Sequence, residues 1–292
     1  MATTTHVSDA GTLPAETKQA SDLRETVARV QREARNVLGG HSGGLSHRLI
    51  LTLSVIILLT VGVALYAAVA CVAVAGEIAY GAEPWIDAVA NTLLVALALG
   101  LFMPLSVSLG RLSCLMAAPD GEVVHGMAVS VPTASLSELF YPFSSFRAYG
   151  RTMAVGMESL GFLLVGAGLP ILVGRLAWLS AVAGGMTPWL LGLSMTGVVV
   201  LGLCWGVGIL LLSGRRMGFA YFVFVHEELS LGDANRLYRS HRRPLLPVLF
   251  LRVRLLGLYA LSVAGIGVPF VFHSIPLGGC CKAVYSRDLA KR

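Results

Sequence analysis

Charge is scarce in this chain. Of its 292 residues, 13% are Asp, Glu, Lys or Arg and 55% are hydrophobic, whereas a soluble domain carries about a quarter charged residues. So little polar surface cannot cover a water-facing protein of this length, but lipid can face apolar side chains directly. Paired cysteine is also missing. Cys71, Cys114, Cys204, Cys280 and Cys281 are odd in number, with no CxxC and no Cys/His metal spacing, which leaves no disulfide framework or zinc site to read. Catalytic fingerprints are missing too: there is no Walker loop, HExxH, GxSxG, DxDxxG loop or Rossmann glycine pattern. The seven histidines are dispersed, and the densest cluster, His226-Glu227-Glu228, has no nucleophile or metal constellation beside it. No enzyme activity, cofactor or metal is expected of this chain.

Acidic residues are fewer than basic ones, 16 against 22, for a net charge of +6. The excess does not point to nucleic acid. Lys and Arg sit beside apolar runs, where they set topology and meet anionic headgroups.

What the chain has in abundance is long apolar runs. The first begins only after His47 and far exceeds the ~7–15 apolar residues of a signal peptide core, so it is expected to stay as a transmembrane helix. The expected fold is an all-α, polytopic transmembrane helical bundle of about six spans. These cover Leu49 to Ala75, Ile86 to Ala117, Arg151 to Val182, Trp189 to Leu212, Leu245 to Ala264 and a shorter Val268 to Val284. Each of the first five is long enough to cross ~30 Å of hydrocarbon. Pro104, Pro170 and Pro276 are expected to kink or break their helices. Gly202 and Gly206 form a small-xxx-small pair suited to helix packing.

Ahead of these spans, residues 1–20 read as a disordered polar tail and 21–44 as an amphipathic helix with a Gly-rich joint; 45–292 form the six-helix domain. Leu23, Val27, Val30, Ala34 and Leu38 share one helical face, with Ser21 as N-cap and Gly39-Gly40 as the end. This helix is either a solvated linker or lies on the cytosolic membrane surface, and the second reading is preferred. The Gly39 to Gly44 stretch is expected to be flexible. Two Ser-x-x-acid pairs, Ser135/Glu138 and Ser230/Asp233, have capping-box spacing. The first opens an aromatic stretch, Phe140 to Tyr149, suited to the headgroup boundary. The turn signal Pro119-Asp120-Gly121 lies between spans two and three.

Basic residues flank the N-terminal tail, the loops after spans two and four, and the C-terminus, while the other three loops carry none. By the positive-inside rule both termini are cytosolic. Within the spans lie Glu158, Arg175, Arg252, Arg254 and His273, each of which needs a partner, water or a path to the headgroups. Glu158 and Arg252 are each about seven residues in from the cytosolic side, roughly 10 Å deep at ~1.5 Å per residue. Glu158 is therefore expected to pair with Arg252 or Arg254, chiefly as a lock between helices; a polar pathway and a lipid-headgroup site are the alternatives. Arg175 lies nearer the outer face, within reach of Asp87. His273 reads as a packed or hydrated histidine.

The stretch Phe219 to Ser240, FAYFVFVHEELSLGDANRLYRS, resembles a recurring bacterial pattern. In it an apolar run ends in an acidic residue, and a short helix precedes a basic turn and the next span. With Leu23 to Leu38, Leu139 to Tyr149 and Pro276 to Leu289, it resembles an uncharacterised integral-membrane family of Gram-positive bacteria. That family is similar to the membrane domain of glycerophosphoryl diester phosphodiesterases. Arg252 and Arg254 depart from the family's usually apolar or Ser-bearing span. The resemblance implies a membrane domain and supplies no reaction or site residues; the phosphodiesterase barrel is a separate soluble domain that this chain lacks. The expected role is a non-catalytic bacterial inner-membrane protein, an envelope scaffold contacting membrane lipids, a protein partner or a second copy of itself. The alternative is a small transporter or permease-like component.

Overall fold

The computed structural model describes residues 15–42, 44–81, 83–118, 123–124, 127–128, 133–185, 187–214, 216, 218–240, 245–264 and 270–290. The fold is all-α, with ten helices among the described residues: α1 (Ala15–Gly39), α2 (His47–Tyr80), α3 (Pro84–Ala117), a 3-10 helix (Leu136–Phe143), α4 (Phe146–Ala183), α5 (Pro188–Gly214), α6 (Phe219–Val225), α7 (Leu231–Ser240), α8 (Leu245–Ala264) and α9 (Ile275–Ala290). Two antiparallel two-residue ladders, 41–42 with 45–46 and 123–124 with 127–128, are the strands described. Helices α2, α3 and α4 are long and apolar enough to cross a membrane. Their outward side chains, among them Val63, Ile78, Leu93, Val165 and Ile171, are exposed, which suits contact with lipid.

Each helix expected across a proline continues through it. A π turn occupies Ala98–Phe102 ahead of Pro104, Leu164–Gly168 ahead of Pro170 and Phe270–Ser274 ahead of Pro276. In every case the turn ends two residues before the proline. Proline has no N–H and its ring crowds the carbonyl four residues back; one extra residue in the turn absorbs both. At the first two turns a carbonyl is bonded by a neighbouring helix. Tyr149 Oη donates to Gly100 O at 3.1 Å, and Trp205 Nε1 donates to Val165 O at 2.7 Å. The turn Pro119-Asp120-Gly121 lies outside the described residues.

Helix α1 ends at Gly39 as expected but differs from its expectation at its start and in its role. It begins at Ala15 rather than near Ser21, so Ser21 is inside the helix and not its cap. Its apolar face is covered by protein instead of lipid: Val27, Val30 and Ala34 are at most 2% exposed and join one core with Cys280, Cys281 and Val284 of α9. Each fully buried Val or Leu of such a face stabilises by roughly 1.5–3 kcal/mol. The described residues at the ends of the Gly-rich joint are bonded. His47 Nδ1 meets Val37 O at 2.7 Å, His47 Nε2 meets Ser42 Oγ at 2.9 Å, and Gly44 takes the left-handed φ of 83° that the turn needs.

Of the two Ser-x-x-acid pairs, one makes an N-cap bond. Ser230 Oγ accepts from Asp233 N at 3.1 Å and donates to the Asp233 carboxylate at 2.6 Å. At Ser135 the following turn is 3-10, the serine side chain meets Ser137 instead, and Glu138 is drawn away to an arginine. Glycine packing joins α4 to α5. A Cβ on Gly202 would touch Pro170 at 3.4 Å and one on Gly166 would meet Ile209 at 2.8 Å. At Gly206 a Cβ would meet nothing within 4 Å, so that half of the pair faces open space.

Candidate functional site

Two polar assemblies stand out, and both rest on arginines from different helices. The first is centred on Arg111, near the end of α3 and 2% exposed. Its Nε and Nη2 donate to Glu138 Oε2 at 3.1 and 2.7 Å, and its Nη1 donates to the Glu227 carboxylate and to Phe224 O, the latter at 3.3 Å. The guanidinium also stacks on Tyr141, 3.6 Å from the ring centroid. Burial, followed by the nearby Glu227 charge, raises the Tyr141 phenol above its ordinary value against the opposing pull of Arg111 and Arg151.

Arg151 completes this assembly from α4. It donates to Val223 O at 2.9 Å, to Glu227 O at 2.5 Å and to Leu229 O, while Arg147 donates to Glu227 O at 3.1 Å. The C-terminal carbonyls of a helix lack intrahelical donors. Here arginine supplies them for α6 and fixes the turn His226 to Leu229. The sequence cluster His226-Glu227-Glu228 is thus the point where α3, α4 and the 3-10 helix are tied to α6. Sequence reasoning passed over Arg111, and read Glu138 as a capping-box acid and Arg151 as the start of a span. The available signal was an arginine inside an apolar span six residues before its end, which needs a partner as much as Glu158 does.

The second assembly holds the expected Glu158, but with a different partner. Glu158 pairs with Arg216, whose Nη1 also donates to Asn235 Oδ1 at 2.8 Å and whose guanidinium lies over Phe219 and Tyr238, 4.6 and 5.1 Å from their centroids. The expectation of a bond to Arg252 or Arg254 is corrected: Arg216, between α5 and α6, takes the Glu158 carboxylate. Arg252 instead lines the same cavity as Glu158 and Arg216. Arg254 is exposed on the next part of α8. Arg175 is exposed and forms no ion pair with Asp87. His273, in the third π turn, meets Arg48 Nη2 through Nδ1 at 3.2 Å and is absent from the cavity wall.

The cavity has a volume of about 750 Å³ and lies among α2, α3, α4, α5, α6, α8 and α9. Most of its wall is apolar, with Glu158, Arg216, Arg252 and Lys282 as the charged lining residues. A third set of ion pairs closes the far side of α9. Arg287 bonds Glu33 of α1 at 2.5 Å, Asp288 at 2.9 Å and Ala117 O at 3.3 Å, and Arg29 meets Asp288 at 3.3 Å. Among the described residues, no group of three or more His, Cys, Asp or Glu side chains is placed to hold a metal ion.

Fold and site together define an all-α protein with three helices able to cross a membrane, gathered at one end by arginine-centred bonds. No family model, curated protein or solved structure matches the chain.

Proposed function

We propose that the protein is a non-catalytic, multi-pass bacterial inner-membrane protein of about six spans, with both termini cytosolic, that acts as an envelope scaffold in contact with membrane lipid. The observation that carries this reading is the division of the molecule into an exposed apolar half and an arginine-locked half. Exposed apolar side chains along α2, α3 and α4 suit acyl chains. Arg111, Arg151 and Arg287 all join elements at the opposite end, where the positive-inside rule puts the cytosol. Helices α5, α8 and α9 supply the remaining three spans; the Phe270–Ser274 turn lengthens α9 toward the span length that its own residues lack. The likeness to the uncharacterised Gram-positive membrane family is consistent with this role.

Transport is the second reading, favoured by one observation: Glu158 and Arg252 share a cavity. His273 does not line it, so the cavity does not join all three of the charges that a continuous polar route would use. Mass spectrometry of lipid and protein that co-purify with the chain tests the proposal. A reproducible complement of membrane lipid, with no substrate accumulation in loaded vesicles, is expected. Uptake of a small solute by proteoliposomes would replace the scaffold with a transporter.

A further inference from the structure

The 3-10 helix Leu136–Phe143 has three faces, because side chains three residues apart eclipse one another. Protein covers two of them. On the first, Leu139 and Pro142 are buried and Leu136 packs against the main core. On the second, Glu138 accepts from Arg111 at 2.7 Å and Tyr141 lies under the same guanidinium. The third carries Phe140 and Phe143, 51% and 47% exposed, and three residues further on stands Phe146, 93% exposed. The Phe143 ring lies 6.3 Å from that of Tyr149, which holds this face against the start of α4. Water is a poor solvent for three neighbouring phenylalanines.

Two observations say what covers them. The first is continuity. At 3.6 residues per turn, Met157 and Leu164 fall within about 20° of Phe146 around α4, and both are exposed. The stripe therefore leads straight into the outward apolar face of a helix able to cross a membrane. The second is level. Tyr80 and Trp85, exposed and 5.6 Å apart, mark one end of α2 and α3. Tyr149 Oη reaches Gly100 O at 3.1 Å, so the start of α4 lies roughly 20–30 Å along α3 from Trp85 at ~1.5 Å per residue, close to the ~30 Å hydrocarbon thickness. The two exposed aromatic groups thus stand where two membrane boundaries would be. Arg147, exposed beside Phe146, complements the anionic headgroups of a cytosolic leaflet.

We propose that Phe140, Phe143 and Phe146 form a wedge inserted into the cytosolic leaflet just beneath its headgroups, which anchors the Arg111 junction to the membrane surface. This inference rests on the reading of the chain as a membrane protein, and its partner is bilayer lipid.

The experiment uses the full chain with Trp85, Trp178, Trp189 and Trp205 replaced by Phe, in nanodiscs of phosphatidylcholine and phosphatidylglycerol. One reporter is added at a time: Phe140→Trp, Phe143→Trp, Phe146→Trp, or Val95→Trp, which lies about 15 Å along α3 from Trp85. Lipid carries a spin label near the top of its acyl chain or near its end. The three phenylalanine reporters are expected to lose more emission to the shallow label than to the deep one, and little to aqueous acrylamide. Val95→Trp is expected to lose more to the deep label. Quenching of the three by acrylamide alone would overturn the wedge, and insensitivity to every quencher would replace lipid with a protein partner. In either case Val95→Trp still quenched by lipid leaves the membrane reading standing; Val95→Trp reached by neither label would remove that reading. A second measurement uses the unaltered chain, so that it survives misfolding of the tryptophan-free background. Phosphatidylcholine with a diazirine near the top of its acyl chain should form adducts within residues 136–147, and their absence there beside adducts on α3 would also overturn the wedge.

Discussion

Replacing Arg111 by Met keeps a side chain of similar length and removes the charge and all five donors. Two carboxylates lose their partner. The Glu138 side chain is 19% exposed and is held by two of the arginine's bonds, so its loss approaches the cost of breaking a buried pair. The Glu227 side chain is 36% exposed, and its share is reduced by solvent screening to that of a surface bridge. The bond to Phe224 O and the stacking on Tyr141 go as well. Breaking a buried pair by deleting one partner costs about 3–5 kcal/mol, and the exposure of Glu227 keeps the expected total inside that range.

At about 2–4 °C per kcal/mol for domains of 150–250 residues, the melting temperature in detergent is expected to fall by roughly 6–20 °C. Thermal unfolding followed by tryptophan fluorescence measures it. Arg111→Lys keeps the charge but loses the fork and the planar stacking face, and is expected to recover only part of the loss. Adding Glu138→Gln to Arg111→Met removes the stranded carboxylate and should restore about 1–2 kcal/mol, a non-additive result in a double-mutant cycle. A fall under ~2 °C, or strictly additive losses, would refute the placement of Arg111 at the centre of this junction.

Three further outcomes follow from the same geometry. Arg151→Ala withdraws donors from the carbonyls of Val223, Glu227 and Leu229 and is expected to destabilise by about 2–3 kcal/mol, with amide exchange rising selectively over residues 226–231. Arg287→Gln breaks the bond to Glu33, costs about 1–2 kcal/mol at a partly exposed site, and should speed trypsin cleavage within α1; added salt should reproduce part of the effect in the unaltered protein. Gly278→Ala would place a Cβ 1.8 Å from Tyr259 Oη, so overpacking of about 1–3 kcal/mol is expected, and Tyr259→Phe should relieve part of it in the double variant's melting temperature.

Periodicity and run length made the long helices legible: α2, α3 and α4 lie where apolar runs put them, because a run of that length has few other ways to satisfy its backbone. The face of α1 was also readable from Val27, Val30 and Ala34. What covers that face was not. A helical stripe says that something apolar lies against it, and α9 is some 250 residues further along the chain. Pro104, Pro170 and Pro276 signalled irregularity correctly, but a π turn and a break share the same cue in sequence. The site was the least readable part. Depth along a span ranks pairs equally, and only the lateral arrangement put Arg216 rather than Arg252 beside Glu158. Arg111 was hidden by its position near a span end, where an arginine ordinarily reaches the headgroups; its burial depends on the return of α6, which no local pattern announces.

Labelling of single-cysteine variants with a membrane-impermeant maleimide, in intact cells against opened ones, tests the central claim most directly. The background for these variants has Cys71, Cys114, Cys204, Cys280 and Cys281 replaced by Ala. The account predicts that cysteine at Glu83, between α2 and α3, and at Gly184, after α4, reacts in intact cells. Cysteine at Ser144, between the 3-10 helix and α4, should react only once the cells are opened. Labelling of Ser144→Cys in intact cells, or protection of Glu83→Cys there, would contradict it.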